Sequence, residues 1–421
     1  MVDSICIFED LYFTRLLPLV YFRPQYDLRC GILTLREKVL NRFPDIPVTL
    51  HCREYLSDVV KFQNPKFNVN IIDGNSCLFI NGKVIADANF RDKISMDGKD
   101  KLYVKGDTIA AAKVSGDKLD SLKHQLSDVF TLSDFDDMAK EEIDANVINY
   151  PWDLIANNGR QIIEDFKLLT GTINESKIKG QIYEGAYLIN KENIFIDEGS
   201  KIKPGAVLDA EEGSIYLGKD VIVYPNATIE GPAYIGDKSK IKIGAKIYED
   251  TSIGPVCKVG GEVESSIIHS YSNKQHDGFL GHSYLGMWVN LGADTNNSDL
   301  KNNYGSVKVV INGEQVDSGS MFVGLTIGDH SKSAINTMFN TGTVVGVSSN
   351  IFGGGFPGKY IPSFSWGGSE SITSYDLERS IEVAKRVMNR RKIEMTEHDE
   401  KLFRIIYDLT KEERRKRGMP N

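Results

Sequence analysis

From Leu217 onward an aliphatic residue returns at every sixth position: Leu217, Val223, Ile229, Ile235, Ile241, Ile247, Ile253 and Val259. Four residues after most of them stands a small or β-branched residue, as at Val221, Ala227, Ala233, Ser239, Ala245, Thr251 and Cys257. An earlier piece in the same phase, IDEGSKIKPGAVL, starts at Ile196 and is followed by the short insertion DAEEGSIY. A period of six fits neither an amphipathic helix nor an alternating strand. It suits a short strand plus a tight corner, with the aliphatic residue pointing into a narrow prism and the small residue filling the gap beside it. Each such coil buries its apolar face only by stacking on its neighbours. The pattern predicts a hexapeptide-repeat left-handed parallel β-helix over residues 183–368. It loosens through Glu264–Asn273, tightens at Leu285 and Leu291, and resumes with glycine corners up to Gly354. The interruption is where a binding face of a repeat array is expected.

Residues 1–150 carry a different pattern. SICIFED reads as a strand, LTLREKVLNRF as a helix, IPVTLHCREYL as a strand running into a helix, and SCLFINGKVIAD as a strand and turn. This order predicts a doubly wound α/β layer of nucleotide-binding type. DDMAKEEIDANVINYPWDLIANNGRQIIEDF reads as helical on both sides of Pro151, with apolar Leu154, Ile155, Ile162, Ile163 and Phe166, and predicts a helical linker over 151–182. Leu377, Ile381, Ala384 and Met388 mark one face of a helix, and Thr396 with Asp399 resembles a capping box for another. Helices over 369–421 are expected to close the solenoid end or meet a neighbouring subunit.

A chain of 421 residues is long for one core, which agrees with two domains. Net charge of −8 argues against a general nucleic-acid binder. The basic KEERRKRG near the C-terminus reads as a solvated helix end. Five scattered cysteines without a CxxC pair indicate reduced, buried thiols. The acidic N-terminal stretch does not read as a signal peptide, and no apolar run reaches membrane-spanning length. A cytoplasmic protein is expected.

The interruption contains KQHDGFLGHSYLGMWVNLGADTNNSDL, with two of the seven histidines of the chain. Its Lys-x-His start, aromatic-Leu-Gly step and Val-Asn-Leu-Gly-Ala run resemble the acetyltransferase half of the bacterial bifunctional N-acetylglucosamine-1-phosphate uridylyltransferase/glucosamine-1-phosphate N-acetyltransferase family. The longer wording is closer to a variant subgroup of that family. The resemblance covers Tyr183 to about Trp366. It implies that His276 is the catalytic histidine, that Asn290 contacts the amino sugar, and that the Ala293 backbone meets acetyl-CoA. Phe279 stands where the family has a tyrosine, and Asp294 where it has a glycine.

The chemistry asks for such residues. Attack on a thioester needs a free amine, and a histidine takes that proton at neutral pH. Backbone N–H groups of a glycine-rich coil suit the oxyanion. Lys274 and Lys301 flank the segment and offer charge to a sugar phosphate. His282, beside Ser283 and Tyr284, is the rival of His276, as a structural hydrogen-bonder or a pantetheine contact. GGGFPGKY reads as a turn ending the solenoid and not as a phosphate loop. Trp288 reads as packing against another subunit.

RLLPLVYFRPQYDLRCGILTLREK resembles the N-terminal domain of the same subgroup, a divergent branch of sugar nucleotidyltransferases. Thr14-Arg15 and Arg23-Pro24 stand where ordinary members have Gly-Thr-Arg and Pro-Lys. Arg15, Arg23, Arg29 and Lys38 are therefore candidate phosphate ligands, with surface ion pairs as the alternative. Lys83 occupies the place of a magnesium-binding Gly-Asp, which Asp73 or Asp87 could replace. The resemblance implies acetyl-CoA and UTP as co-substrates, Mg2+ for nucleotidyl transfer, and a homotrimer with the acyl site between subunits. A trimeric scaffold without activity is the reading of a different class.

Overall fold

The computed structural model describes residues 2–171 and 177–419. In the first domain seven strands form one sheet: β1 (Ser4–Phe8), β2 (Val48–Leu50), β3 (Asn68–Val69), β4 (Ser76–Asn81), β5 (Lys101–Lys105), β6 (Thr108–Ser115) and β7 (Lys140–Glu142). Their order is β3-β2-β1-β4-β6-β5-β7, with β1 to β4 parallel and β6 antiparallel to β4 and β5. β1 is buried along its whole length, as its unbroken SICIF run requires of a central parallel strand. The helices are α1 (Leu35–Arg42), capped by Thr34 and Glu37, α2 (Ser57–Gln63) and α3 (Gly116–His124).

The expectation of helix on both sides of Pro151 is corrected. Helix α4 starts at that proline and runs Pro151–Thr170, whereas the residues before it form a short 3-10 turn, strand β7 and extended chain. Proline suits the first helical position and restricts the residue before it to extended backbone. Residues 172–176 of the expected linker lie outside the described residues. Chain is already in the solenoid at Ile178, which bridges Ile196.

The second domain is a three-sided parallel β-helix. One side holds nine strands, from Ile194–Ile196 to Tyr360–Ile361, and the other two hold six each, ending at Asn273–Lys274 and Phe279–Gly281. The eight period-six aliphatics from Leu217 to Val259 are all at most 1% exposed and form its core. Ile241 pairs with Val259, eighteen residues on, but Val259 pairs with Lys274, fifteen on. The shortened coil therefore sets a lysine in the inward position that Ile202, Val223 and Ile241 fill below it. After Asn297 the chain leaves the solenoid as an antiparallel hairpin, Lys308–Ile311 with Glu314–Asp317. Its turn is Asn312-Gly313, both at positive φ, a two-residue hairpin signal that the sequence reading passed over. The hairpin packs Val307, Val309 and Ile311 on Trp152 of α4.

Three helices follow: α5 (Leu377–Asn389), α6 (Glu397–Leu409, with the Thr396–Asp399 box) and α7 (Lys411–Lys416). They reach back to the first domain as well as to the solenoid. Phe403 meets Phe22 edge-on at 4.7 Å, and Lys401 pairs with Asp58. The basic tail is correspondingly not a plain solvated end. Arg414 is fully buried, its guanidinium 3.9 Å from the Tyr407 ring, and Glu413 accepts from Tyr21. A single apolar cluster holds Ile7 and Leu50 with Ile267, Tyr284, Phe364 and Ile406, so domains and helices share one core. All five cysteines are buried and free. Among the described residues no helix is long and apolar enough to cross a membrane.

Candidate active site

His276 follows the strand Asn273–Lys274 on a corner between two sides of the solenoid. It is exposed and lines an open groove of about 560 Å3 with Lys242, Ile243, Gly260 and Gly261 below and Ala293 and Asp294 above. Consecutive corners are stitched by their backbones: Asp294 N–H donates to the Asp277 carbonyl at 2.9 Å, and Asn336 N–H to that of Ala293 at 2.8 Å. Thus the fold brings His276 and Ala293 together as neighbours one coil apart. Ile243 and Ile335, at 68% and 69% exposure, stand on the same row of corners and leave apolar surface beside the histidine.

Lys274 takes a different part from the one expected. It is 1% exposed, and its ammonium donates to the carbonyls of Gly260 at 3.0 Å and His276 at 2.9 Å. Burial pulls its pKa down to about 8, against weaker support from Asp277 and Asp294. It braces the corner from inside and does not face a phosphate. Gly261, at φ +70°, is needed there, because a Cβ would lie 2.6 Å from the Lys274 amine and 2.8 Å from the His276 carbonyl. Gln275, Asp277 and Lys242 were missed as groove residues; counting one coil along the chain from Ala293 and Gly260 would have found them.

The remaining expected substrate residues lie off this groove. His282 sits on the next corner, its Nδ1 2.9 Å from Asp299 and its ring stacked on Phe322 at 4.9 Å. Phe279 is half-buried and donates its N–H to Asn296 at 2.7 Å. Asn290 bridges the strands at Asn273 and Lys332, accepting from the Asn273 amide. Lys301 donates to the Ser306 carbonyl at the base of the hairpin. Trp288 packs within the chain, stacked on Tyr271 at 4.4 Å, rather than on another subunit.

In the first domain the phosphate readings of Arg23, Arg29 and Lys38 are corrected. Arg23 is 6% exposed and holds Asp329 of the solenoid with both terminal nitrogens, one at 3.0 Å. Lys38 is 2% exposed and lies 2.6 Å from Asp165 of α4. Buried Arg29 bonds the Ile32 carbonyl and lies 5.2 Å from the centre of the Tyr234 ring. Arg23 and Lys38 are matched by carboxylates inside the protein because an unpaired buried charge is costly, and their pairs are not at the surface; Arg29 is held by a carbonyl and a ring face, and its Nε has no hydrogen-bond partner. Arg15 alone is half-exposed, over Tyr12 at 4.1 Å.

In open α/β sheets of this order ligands bind at the carboxyl ends of the strands that flank the reversal of order, here β1 and β4. That crevice is filled. Glu9 accepts from Arg53 at 3.0 and 3.1 Å, and Asp10 lies 2.9 Å from both Lys83 and the Asn81 amide. Lys83 is fully buried, and burial lowers its pKa against the pull of Asp10. Magnesium takes carboxylate oxygens; here those of Glu9 are matched by Arg53, and Asp10 Oδ2 by Lys83 and the Asn81 amide, whereas Asp10 Oδ1 is buried with no hydrogen-bond partner. Asp73 and Asp87 flank opposite ends of β4. No cluster of three metal-ligating side chains occurs among the described residues. Among the described residues the crevice leaves one unmatched carboxylate oxygen, that of Asp10, for the expected magnesium.

The chain is similar to known proteins over parts of its length. A protein from Geotalea uraniireducens named bifunctional protein GlmU is 29% identical over 208 residues, covering 43% of this chain and 44% of its own. Its namesake from Methanococcus aeolicus is 27% identical over 241 residues, covering 57% and 47%. A bifunctional sugar-1-phosphate nucleotidylyltransferase/acetyltransferase from Sulfurisphaera tokodaii is 27% identical over 207 residues, covering 44% and 51%. The chain spans about half the length of these relatives. A solved UDP-N-acetylglucosamine acyltransferase from Campylobacter jejuni aligns at 12% identity with a TM-score of 0.29, covering 54% of this chain and 96% of its own. Residues 5–173 match the model of the family described as sugar nucleotidyl transferase, so the chain is similar to that family in its first domain and to the bifunctional GlmU proteins over about half its length.

Proposed function

We propose that this protein is a transferase of amino-sugar nucleotide synthesis that N-acetylates glucosamine 1-phosphate from acetyl-CoA at the His276 corner. The observation that carries the reading is that exposed His276 and the Ala293 of a neighbouring coil line one open groove. His276 takes a proton from the sugar ammonium, and the free amine attacks the thioester carbonyl. His276 gives that first proton to solvent; as the new C–N bond forms it takes a second proton from the nitrogen, the C–S bond breaks, and this second proton passes to the departing thiolate, leaving the amide and the free thiol. The Ala293 carbonyl accepts from Asn336 with one of its two lone pairs, which leaves the other for a coenzyme contact.

His282 and Lys301 lie away from the groove within one chain, and Ile243 and Ile335 leave apolar surface beside it. Both observations support a homotrimer in which an adjacent copy completes the acyl site. Uridylyl transfer from UTP to the acetylated sugar phosphate, with release of pyrophosphate, is the second activity, supported by the family match and the relatives' names. The buried free thiols favour the cytoplasm.

The test is thiol release from acetyl-CoA with glucosamine 1-phosphate, for wild type, His276→Ala and His282→Ala. Release lost chiefly in His276→Ala supports the reading. No release from folded wild type across several amino-sugar phosphates overturns it, and pyrophosphate release with UTP tests the second activity separately.

A further inference from the structure

The nine-stranded side of the solenoid is covered from within the chain. Phe195 and Tyr234 on it share an apolar cluster with Ile32 of the first domain and with Ile162 and Phe166 of α4. On the other two sides the outward residues below the His276 coil are exposed or half-buried. These two open sides converge on the edge that carries His276, where the tips at Pro204, Ile243 and Ile335 are apolar and exposed.

Charge is sorted between the open sides. On the side that ends at Asn273–Lys274, one outward column runs Lys201, Ile222, Lys240, Lys258 and Asn273 in strand register. Arg391 extends it, donating to the Asn273 side chain at 2.8 Å. On the side that ends at Phe279–Gly281, Asp209 pairs in register with Glu230, and Glu262 and Glu264 follow two coils above. Neighbouring strands are about 4.8 Å apart, so each side sets like charges beside one another, which is unfavourable. The strongest charges around Lys258 are Arg391, Lys240, Arg390 and Lys242, all cations. Those around Glu230 are Glu249 and Asp209, both anions. Burial first, and then these neighbours, push the Lys258 pKa down and the Glu230 pKa up. Lys246 and Glu262, 3.2 Å apart, form an ion pair, but among the described residues Lys201, Lys240, Lys258, Asp209, Glu230 and Glu264 have none.

We propose that the lysine side of one copy docks on the acidic side of the next, three copies closing a ring about an axis parallel to the solenoid. The inference rests on the homotrimer proposed above and goes beyond it by fixing which surfaces meet. Rotation about such an axis keeps every coil at its own height. Lys258 therefore comes level with Glu262 and Glu264 of the next copy, and Lys201 with Asp209, since each set lies on one coil. A two-fold that lays one side on itself would set lysine against lysine or glutamate against glutamate. A ring offers a different side to each neighbour and neutralises both columns in every contact. The apolar tips at Ile243 and Ile335 lie where the docked sides converge, an apolar centre beside a charged rim.

Sedimentation equilibrium of the full-length protein tests this on wild type, Lys240→Glu with Lys258→Glu, Glu230→Lys with Glu264→Lys, and all four substitutions together. Wild type is a trimer. Each one-sided reversal raises the concentration for half-dissociation at least roughly tenfold, because like charges then face across the contact. The fourfold variant recovers the trimer, which separates docking from misfolding. Lys240→Gln with Lys258→Gln removes attraction without adding repulsion and weakens the trimer less than reversal does. A monomeric wild type, a trimer indifferent to either reversal, or a fourfold variant no tighter than the one-sided ones overturns the inference. Unchanged dissociation in the glutamine variant overturns it even where a reversal unfolds the chain. Thiol release is read on the same samples. A trimer that behaves as expected but releases no thiol overturns acetyl transfer alone, and a thiol-releasing trimer indifferent to reversal overturns the pairing of sides alone.

Discussion

The His276 corner and the crevice at the carboxyl ends of β1 and β4 gather ionisable residues in opposite ways. At the corner His276, Asp277 and Asp294 are exposed, and the one buried cation beneath them, Lys274, is satisfied by backbone carbonyls. In the crevice Glu9, Asp10, Arg53 and Lys83 are all at most 4% exposed and matched to one another. On its open sides the solenoid buries one residue per strand and leaves the corner at His276 to solvent, so a side chain there changes without disturbing the core. At a sheet's central strands, charged groups need partners as soon as a loop covers them. The difference separates side chains free to meet a substrate from side chains that hold the domain together.

The comparison breaks most sharply at His276. His276→Ala is expected to lower thiol release by about 10²- to 10⁴-fold, the usual worth of a general base, with no change in melting temperature. An equal loss in His282→Ala with His276→Ala active would reverse the assignment. In the crevice the opposite outcome is expected. Glu9→Gln strands Arg53 as an unpaired buried cation and costs about 3–5 kcal/mol of stability, read from the urea midpoint. Loss of pyrophosphate release at unchanged stability would instead make Glu9 a substrate contact.

Lys274 sharpens the boundary between the regions, because it belongs to the corner but is buried. Its pKa in the folded protein is near 8, below the unfolded value of 10.5. Its contribution is therefore full above the unfolded value and lost as pH falls through 8. Lys274→Met should remove this dependence, the difference from wild type changing by up to about 3 kcal/mol between those limits. A flat difference across urea titrations at several pH values would place the amine in solvent. The smallest effect is expected away from both regions: Gly313→Ala, at φ +82°, should cost about 1 kcal/mol and leave thiol release intact. A fall in thiol release would tie the hairpin to the site.

Much of the solenoid was legible because its signal is local. Each aliphatic from Leu217 to Val259 is buried by the coil directly above or below, so the period survives in the chain. The hairpin at Asn312-Gly313 was legible too, by its turn, but lies between two stretches of repeat, in a segment that has no period of its own. Helix α4 shows the limit at a boundary, since the polar residues before Pro151 pattern like helix but pair as β7. That His276 and Ala293 line one groove was legible through a compact motif. Lys274 was named for charge, and only the shortened coil turned it inward.

The sequence by itself determined the repeat, the strand-rich first domain, the terminal helices and the identity of the exposed corner. Those depend on residues a few positions or one coil apart. Only the tertiary structure decided which charges remain free. Arg23 meets Asp329 across 306 positions and Lys38 meets Asp165 across 127. The stack of Tyr271, Trp288 and His330 likewise meets Phe22 and Phe403 only because these arrive from opposite ends of the chain. A buried charge is set by its partner and a buried stack by all its neighbours, and neither leaves a period in the sequence.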